Sequence, residues 1–428
     1  MGIFSAQDKK KADLKTYKLE KSTLSNIVKR HKNYIRRKIP KTFLPDIPEN
    51  LPFLYWIPKM HKKPKSKQRY ISGSGNCTTK PISQILTKVF RLIEKEHRIK
   101  CKRYFFNYGI NPMWIIKNSI DVHSIIAPFN RKKNCRNIKT YDFSTFYTSI
   151  PHPKLNSEIS WVIEEAFLHS KKSYINVNKF GAYWSNSQTD KILQLDVKKI
   201  RNLFSWLIFN TFVIFGNKIF KQKIGIPMGT DCAPFAANLF LYAYEFKWID
   251  KIRKNPQKKH LLHKFQGCGR YIDDLLLINN DLLMAKYKSD IYPKELELVQ
   301  EENKGLTSPF LDLLLKIQNK IINTKIYDKR DAFDFPIVSF PILSGNIPLN
   351  SSYGVAIGEW VRYARACTYF EDFKKRNAIL ITKLRKQFFT LKRLNRTWHK
   401  FCERHHILIL KYGSKIPNLY KTWVQTQV

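Results

Sequence analysis

The sequence predicts an α+β fold, with short antiparallel strands, interleaved helices and a helical, basic C-terminal part. Three observations carry that expectation. TFVIF-GN-KIFKQ at 211–222 and FLDLLLKI-QN-KIINTKIY at 310–327 each place two β-rich runs around a two-residue turn, the pattern of a hairpin. LNSEISWVIEEAF at 155–167, LDVKKIRNLFSWLIFN at 195–210 and CAPFAANLFLYAYEFKWI at 232–249 read as helices, the second with Asp196 as its N-cap. Leu380, Leu384, Phe388, Leu391, Trp398 and Phe401 recur at three- and four-residue spacings, as the core-facing stripe of a helical lobe does.

The remaining elements follow in order. Residues 1–50 are polar and basic, with KKK at 9–11 and KRHKNYIRRK at 29–38. They read as a solvated helix or arm; a nucleic-acid-binding arm or a nuclear-import patch is the sharper reading. Prolines 40, 45, 48 and 52 punctuate a linker. LPFLYWIPKMHKKPKSKQRYIS at 51–72 reads as two strands around a basic loop. IKTYDFSTFYTSI at 138–150 begins as a strand, and Pro151 and Pro153 end it. Residues 361–428 hold sixteen Lys and Arg against three Asp and Glu, a basic face that suits a polyanion. His405 and His406 have no metal-ligand partner nearby and read as surface residues.

The chain has 428 residues, 43% of them hydrophobic and 14% aromatic, enough for two or three lobes with real cores. Lys and Arg number 77 against 33 Asp and Glu, a net charge of +44 that would self-repel without an anionic partner. Nucleic acid is the first expectation, and the many Phe and Tyr suit base stacking. A membrane surface competes, but no stretch of 18 apolar residues could span a bilayer. MGIFSAQDKKKADLK lacks the apolar core of a secretory signal, and Ala6 departs from the myristoylation pattern. The expectation is an intracellular protein without a membrane partner. Seven dispersed cysteines with no C-x-x-C argue for a reducing compartment over a disulfide scaffold or zinc module.

GRYIDDLLLIN at 269–279 puts Asp273 and Asp274 inside an apolar, β-prone run. Buried carboxylates are costly unless paired or bound to a metal. Asp142 is a further acid in a β-like, aromatic stretch, YDFSTFY. If the strands carrying Asp142 and Asp273 lie together, their carboxylates can hold two divalent cations, the arrangement that serves in-line phosphoryl transfer. Mg²⁺, a hard cation that takes oxygen ligands, is the expected ion, with Mn²⁺ as the alternative. An Asp-Asp pair that merely caps a strand end is the plainer reading of the dipeptide alone.

Context favours the site. Tyr-Ile-Asp-Asp at 271–274 resembles motif C of reverse transcriptases, and YDFSTFY resembles their motif A. GIPMGTDCAPFAANLFLYAYE at 225–245 resembles motif B, LYWIPK and QRYIS resemble finger motifs 1 and 2, and SPFLDLLLKI at 308–317 resembles the motif E hairpin. Met-Gly-Thr-x-x-Ala-Pro, Thr-Lys-Pro-Ile-Ser at 79–83 and VRYARAC at 361–367 resemble the Penelope-like retroelements, relatives of telomerase. The absence of a GIY-YIG motif then resembles a member without that endonuclease, or a truncated copy.

This resemblance implies a right-hand polymerase. Its parts would be a basic N-terminal extension at 1–50, fingers at 51–135, a palm with an antiparallel sheet at 136–344, and a helical basic thumb at 345–428. An insertion at about 155–205 would follow motif A. Asp142 and Asp273 would bind the metals, with Asp274 completing the acidic cluster. Tyr147 would exclude a ribose 2′-OH, and Arg69 and Lys59 would hold the triphosphate. Gly225, Met228 and Gly229 would lie against nucleotide and template, Met228 standing where many reverse transcriptases have Gln. Lys304 stands where motif D offers a proton to pyrophosphate, although a surface lysine is the simpler reading. The implied activity is extension of a DNA primer on an RNA template with dNTPs, in the nucleus. The oligomeric state stays open. The rivals are an RNA-dependent RNA polymerase and a decayed or domesticated protein that only binds nucleic acid.

Overall fold

A computed structural model describes residues 16–58, 68–189, 192–301, 306–333, 335 and 337–413. The chain divides into two compact units. One comprises Met1–Ile115, Tyr141–Leu275 and Asp281–Gln300; the other Ile116–Thr140, Leu276–Asn280 and Glu301–Val428.

In the first unit, β-branched and aromatic runs form a five-stranded sheet in the order Tyr17–Leu19, Lys218–Gln222, Phe212–Phe215, Phe53–Pro58, Gln68–Gly73. The hairpin expected at 211–222 is present, and Gly216 supplies the positive φ of its turn. The strands expected on either side of the basic loop pair antiparallel, Phe53 opposite Gly73 and Ile57 opposite Arg69.

Residues 17–38 are no solvated arm. Tyr17–Leu19 adds an edge strand to that sheet, and the helix Leu24–Lys38 buries Ile27, Val28, His31 and Ile35. The reading by charge overlooked a stripe at 27, 28, 31 and 35, spaced for one helix face.

The region after the expected motif A is a helix, a small sheet and a helix. His152–Ser170 and Val197–Phe209 flank three strands ordered Ala182–Ser185, Tyr174–Val177, Leu193–Leu195. Asp196 caps the second helix by accepting from the Lys199 amide at 2.7 Å. Ile159, Val162, Ile163, Ile200, Leu203 and Phe204 are buried, so both helices belong to the core.

A four-stranded sheet runs Cys268–Tyr271, Asp274–Ile278, Ile138–Ser144, Glu297–Gln300. Along Ile138–Ser144, Ile138, Thr140, Tyr141 and Phe143 are buried, while Asp142 and Ser144 are half-buried.

The second unit holds a three-stranded sheet, Thr307–Phe310, Leu313–Gln318, Ile321–Ile326. Its last hairpin turns at Asn319 and Lys320, both at positive φ, one residue later than the Gln318-Asn319 turn expected. The helices Leu349–Ala366, Phe370–Arg385 and Leu391–Arg404 enclose a core built on Trp360, Phe373, Leu384, Trp398 and Phe401. The expected stripe is interrupted. The chain leaves the helix at Arg385, Phe388 takes φ +69° and is 62% exposed, and Phe389 fills the core position instead.

Candidate active site

Asp142 lies on the strand Ile138–Ser144, opposite Val299 of Glu297–Gln300. Thr145 at φ +53° ends that strand, and the short helix Phe146–Ser149 carries Tyr147. On the neighbouring strand the run 269–279 is a hairpin, not one strand. Cys268–Tyr271 and Asp274–Ile278 flank Ile272 and Asp273, with Ile272 at φ +56°. A β-branched residue in that region is an outlier, costing on the order of 1–3 kcal/mol and persisting only where its surroundings hold it. Asp273 thus sits at a turn, and its carbonyl accepts from the Phe143 amide at 3.2 Å, beside Asp142.

The two acids share one electrostatic field. Burial raises the Asp273 carboxyl above the usual range, the negative charge of Asp142 raises it further, and Arg69 and Arg270 oppose the shift. Tyr147 is in the same field: burial and the charges of Asp273 and Tyr271 raise its hydroxyl, against Arg69. The structure therefore brings together Asp142, Asp273, Tyr147, Tyr271 and the exposed Arg69. Asp274 opens the outgoing strand. Lys59 and Lys304 lie outside the described residues.

Among the described residues Asp142 and Asp273 pair with no lysine or arginine side chain, and no three or more His, Cys, Asp and Glu gather as a metal cage. Two like-charged carboxylates are still a fitting donor set for Mg²⁺. That ion is commonly held by one or two carboxylates and completed by substrate phosphates and water.

Gly225 and Gly229 meet backbone of the chain itself. Gly225 is at φ +88°, and a β-carbon there would lie 2.2 Å from the Tyr147 carbonyl oxygen; Gly229 is at φ +113°, and one there would lie 1.9 Å from that of Ser72. Between them, the Ile226 amide donates to the Tyr147 carbonyl at 2.7 Å, and the Ser72 amide donates to the Met228 carbonyl at 2.6 Å. The 225–229 segment thus staples the Tyr147 turn to the strand that carries Arg69. Two sequence marks also meet: Lys80 Nζ donates to Asp231 at 2.8 Å, and the Cys232 amide donates to Ser83 Oγ at 3.1 Å.

Sequence reasoning missed Arg270 and Glu245. Arg270 stands just before Tyr-Ile-Asp-Asp and Glu245 ends the 225–245 motif, and both side chains are fully buried and paired. The available signal was a basic residue ahead of the apolar run and an acid inside the apolar helix, two opposite charges in stretches otherwise suited to burial.

No protein-family model matches the chain, and no curated protein matches it. Solved structures do. Telomerase from Candida albicans, in complex with a TWJ fragment of telomeric RNA, superposes with a TM-score of 0.60 at 11% identity, over 96% of this chain and 71% of that one. Apo telomerase from Candida tropicalis gives 0.46 at 13% identity over 96% and 73%. The BmCPV RNA-dependent RNA polymerase at its elongation state gives 0.42 at 12% over 79% and 27%. The first likeness shows that this chain shares the telomerase chain's fold; at that identity it shows nothing finer.

Proposed function

We propose that the chain is an RNA-directed DNA polymerase that extends a primer 3′-OH with dNTPs, and that its kinship is with the Penelope-like elements. The observation that carries this reading is that the turn holding Asp273 accepts a hydrogen bond from Phe143, the residue after Asp142, with Arg69 and Tyr147 in the same field. Residues 136–344 would be the palm, 51–135 the fingers and 345–428 the thumb, with an RNA template and a DNA primer as partners in the nucleus. Asp142 and Asp273 would hold two Mg²⁺ ions, with Mn²⁺ as substitute. When bound, such ions supply positive charge to the attacking and leaving oxygens of phosphoryl transfer. Arg69 would grip the triphosphate through its planar fork. The Tyr147 ring would close the space a ribose 2′-OH needs, so sugar choice would be steric.

Primer extension by the full chain, on RNA and DNA templates with dNTPs or NTPs, tests the reading. We expect extension with dNTPs, abolished by Asp142→Asn or Asp273→Asn. Primer–template affinity should persist in both variants, because it rests on distributed phosphate contacts. Normal extension by either variant would overturn the assignment. Tyr147→Ala should raise ribonucleotide incorporation and reduce dNTP use far less than the aspartate variants do. Wild type that uses NTPs as readily as dNTPs would move the RNA polymerase rival ahead, and unchanged sugar choice in Tyr147→Ala would return that ring to core packing.

A further inference from the structure

We propose that Arg270 and Glu245 form a buried clamp that positions Asp273 for cation binding, an inference that rests on reading Asp142 and Asp273 as cation ligands. Both side chains are at 0% exposure. Arg270 Nε and Nη2 donate to the two Glu245 oxygens at 2.5 and 3.0 Å. The other donors go to Asn238 Oδ1 at 3.0 Å, the Asn238 carbonyl at 3.1 Å and the Ile272 carbonyl at 2.8 Å. The guanidinium thus ties the helix Ala233–Lys254 to the turn residue just before Asp273.

The network also reaches the Asp142 strand. Glu245 accepts from the Tyr292 hydroxyl at 3.0 Å, and the Tyr292 ring meets Phe143 edge-on at 4.9 Å. Phe143 follows Asp142, and its amide donates to the Asp273 carbonyl. A buried ion pair is a weak device for stability alone, since apolar residues of similar volume often serve as well. What such residues could not supply is direction: a hydrogen bond aimed at the carbonyl of a turn whose first residue sits at positive φ. Arg270 and Glu245 are therefore positioning residues.

The test uses the full chain with Arg270→Met, Glu245→Leu and Tyr292→Phe combined, which keeps the volume apolar and removes the directional bonds. Mn²⁺ binding without nucleotide is measured by electron paramagnetic resonance, with Asp142→Asn defining the site. The Mg²⁺ dependence of primer extension is measured beside it. In the folded variant Mn²⁺ affinity should fall at least about tenfold, the usual scale for groups that orient metal ligands. The Mg²⁺ midpoint should rise in step, with the dNTP KM unchanged at saturating Mg²⁺. Unchanged Mn²⁺ affinity and midpoint would overturn the clamp. So would wild-type Mn²⁺ binding that ignores Asp142→Asn. If the triple variant does not fold, Arg270→Lys, which keeps the charge and loses the fork, is judged by the same two readouts. Mn²⁺ binding through Asp142 without any primer extension would sink the polymerase reading and leave the clamp to the Mn²⁺ measurement.

Discussion

Gly225 and Gly229 cannot carry a β-carbon, because their positive φ and the nearby backbone oxygens both forbid it. Gly225→Ala or Gly229→Ala should lower stability by on the order of 1–3 kcal/mol or more, with activity lost alongside. Gly216→Ala is the control: its φ is also positive, but nothing lies within 4 Å of the added carbon, so it should cost only about 1 kcal/mol. Urea unfolding of the three variants checks the ranking. At this scale the sequence singled out Asp142 and Asp273 as candidates, since carboxylates in apolar runs demand a reason. It could not show that two glycines answer to Tyr147 and Ser72, more than 70 and 150 residues earlier, or that Arg270 faces Glu245. Those partners meet only after folding.

Elements were legible where local chemistry decides them. The Gly216-Asn217 hairpin, the Asp196 cap and the apolar helices stand where turn residues and periodicity put them. The sheet over 174–195 did not announce itself, because its strands are three or four residues long and separated by polar loops. Two helices carry a further consequence. His31 of Leu24–Lys38 gives its Nδ1 to a 2.7 Å contact with Thr78 Oγ1, and His97 of Lys80–Tyr108 puts Nε2 2.9 Å from the Val162 carbonyl. Burial holds His31 down at about 4 and His97 at about 3. Both folded values lie below that of an unfolded histidine, so the unfolded chain binds protons first as pH falls. The stabilisation is complete above about pH 6.5 and is lost progressively below it, at about 1.4 kcal/mol per pH unit for each group. Unfolding free energies at pH 7.5 and pH 5 should differ, and His97→Gln should flatten that dependence.

Across the whole molecule, the charge of +44 remains the strongest sign of a polyanionic partner, and no helix among the described residues is long and apolar enough to cross a membrane. All seven cysteines are free and buried, and burial pushes the Cys101 and Cys232 thiols up to about 12, away from reactive thiolate. The basic C-terminal region cannot be deleted cleanly to test nucleic-acid binding. Its helices share a core with Ile326, Arg362 pairs with Asp312 at 2.8 Å, and Arg376 pairs with Asp328 and Asp331. The sharper experiment replaces the exposed Lys392, Arg396 and Lys400 of Leu391–Arg404 with Gln. Each lost phosphate contact should lower the slope of log affinity against log salt by about 0.7–0.9. An unchanged slope in a folded variant would move the nucleic-acid surface elsewhere. The sequence disclosed this charge but not which lysines and arginines are already engaged within the fold.

The staple at 225–229 has a mechanical meaning. Five residues of backbone join the strand that holds Arg69 to the turn that holds Tyr147, with a hydrogen bond at each end. On the proposed reading such a short link would act as a lever, not a tether. A nucleotide that draws Arg69 inward by its phosphates would also tilt the ring beneath its sugar. Grip and sugar inspection would then be one movement.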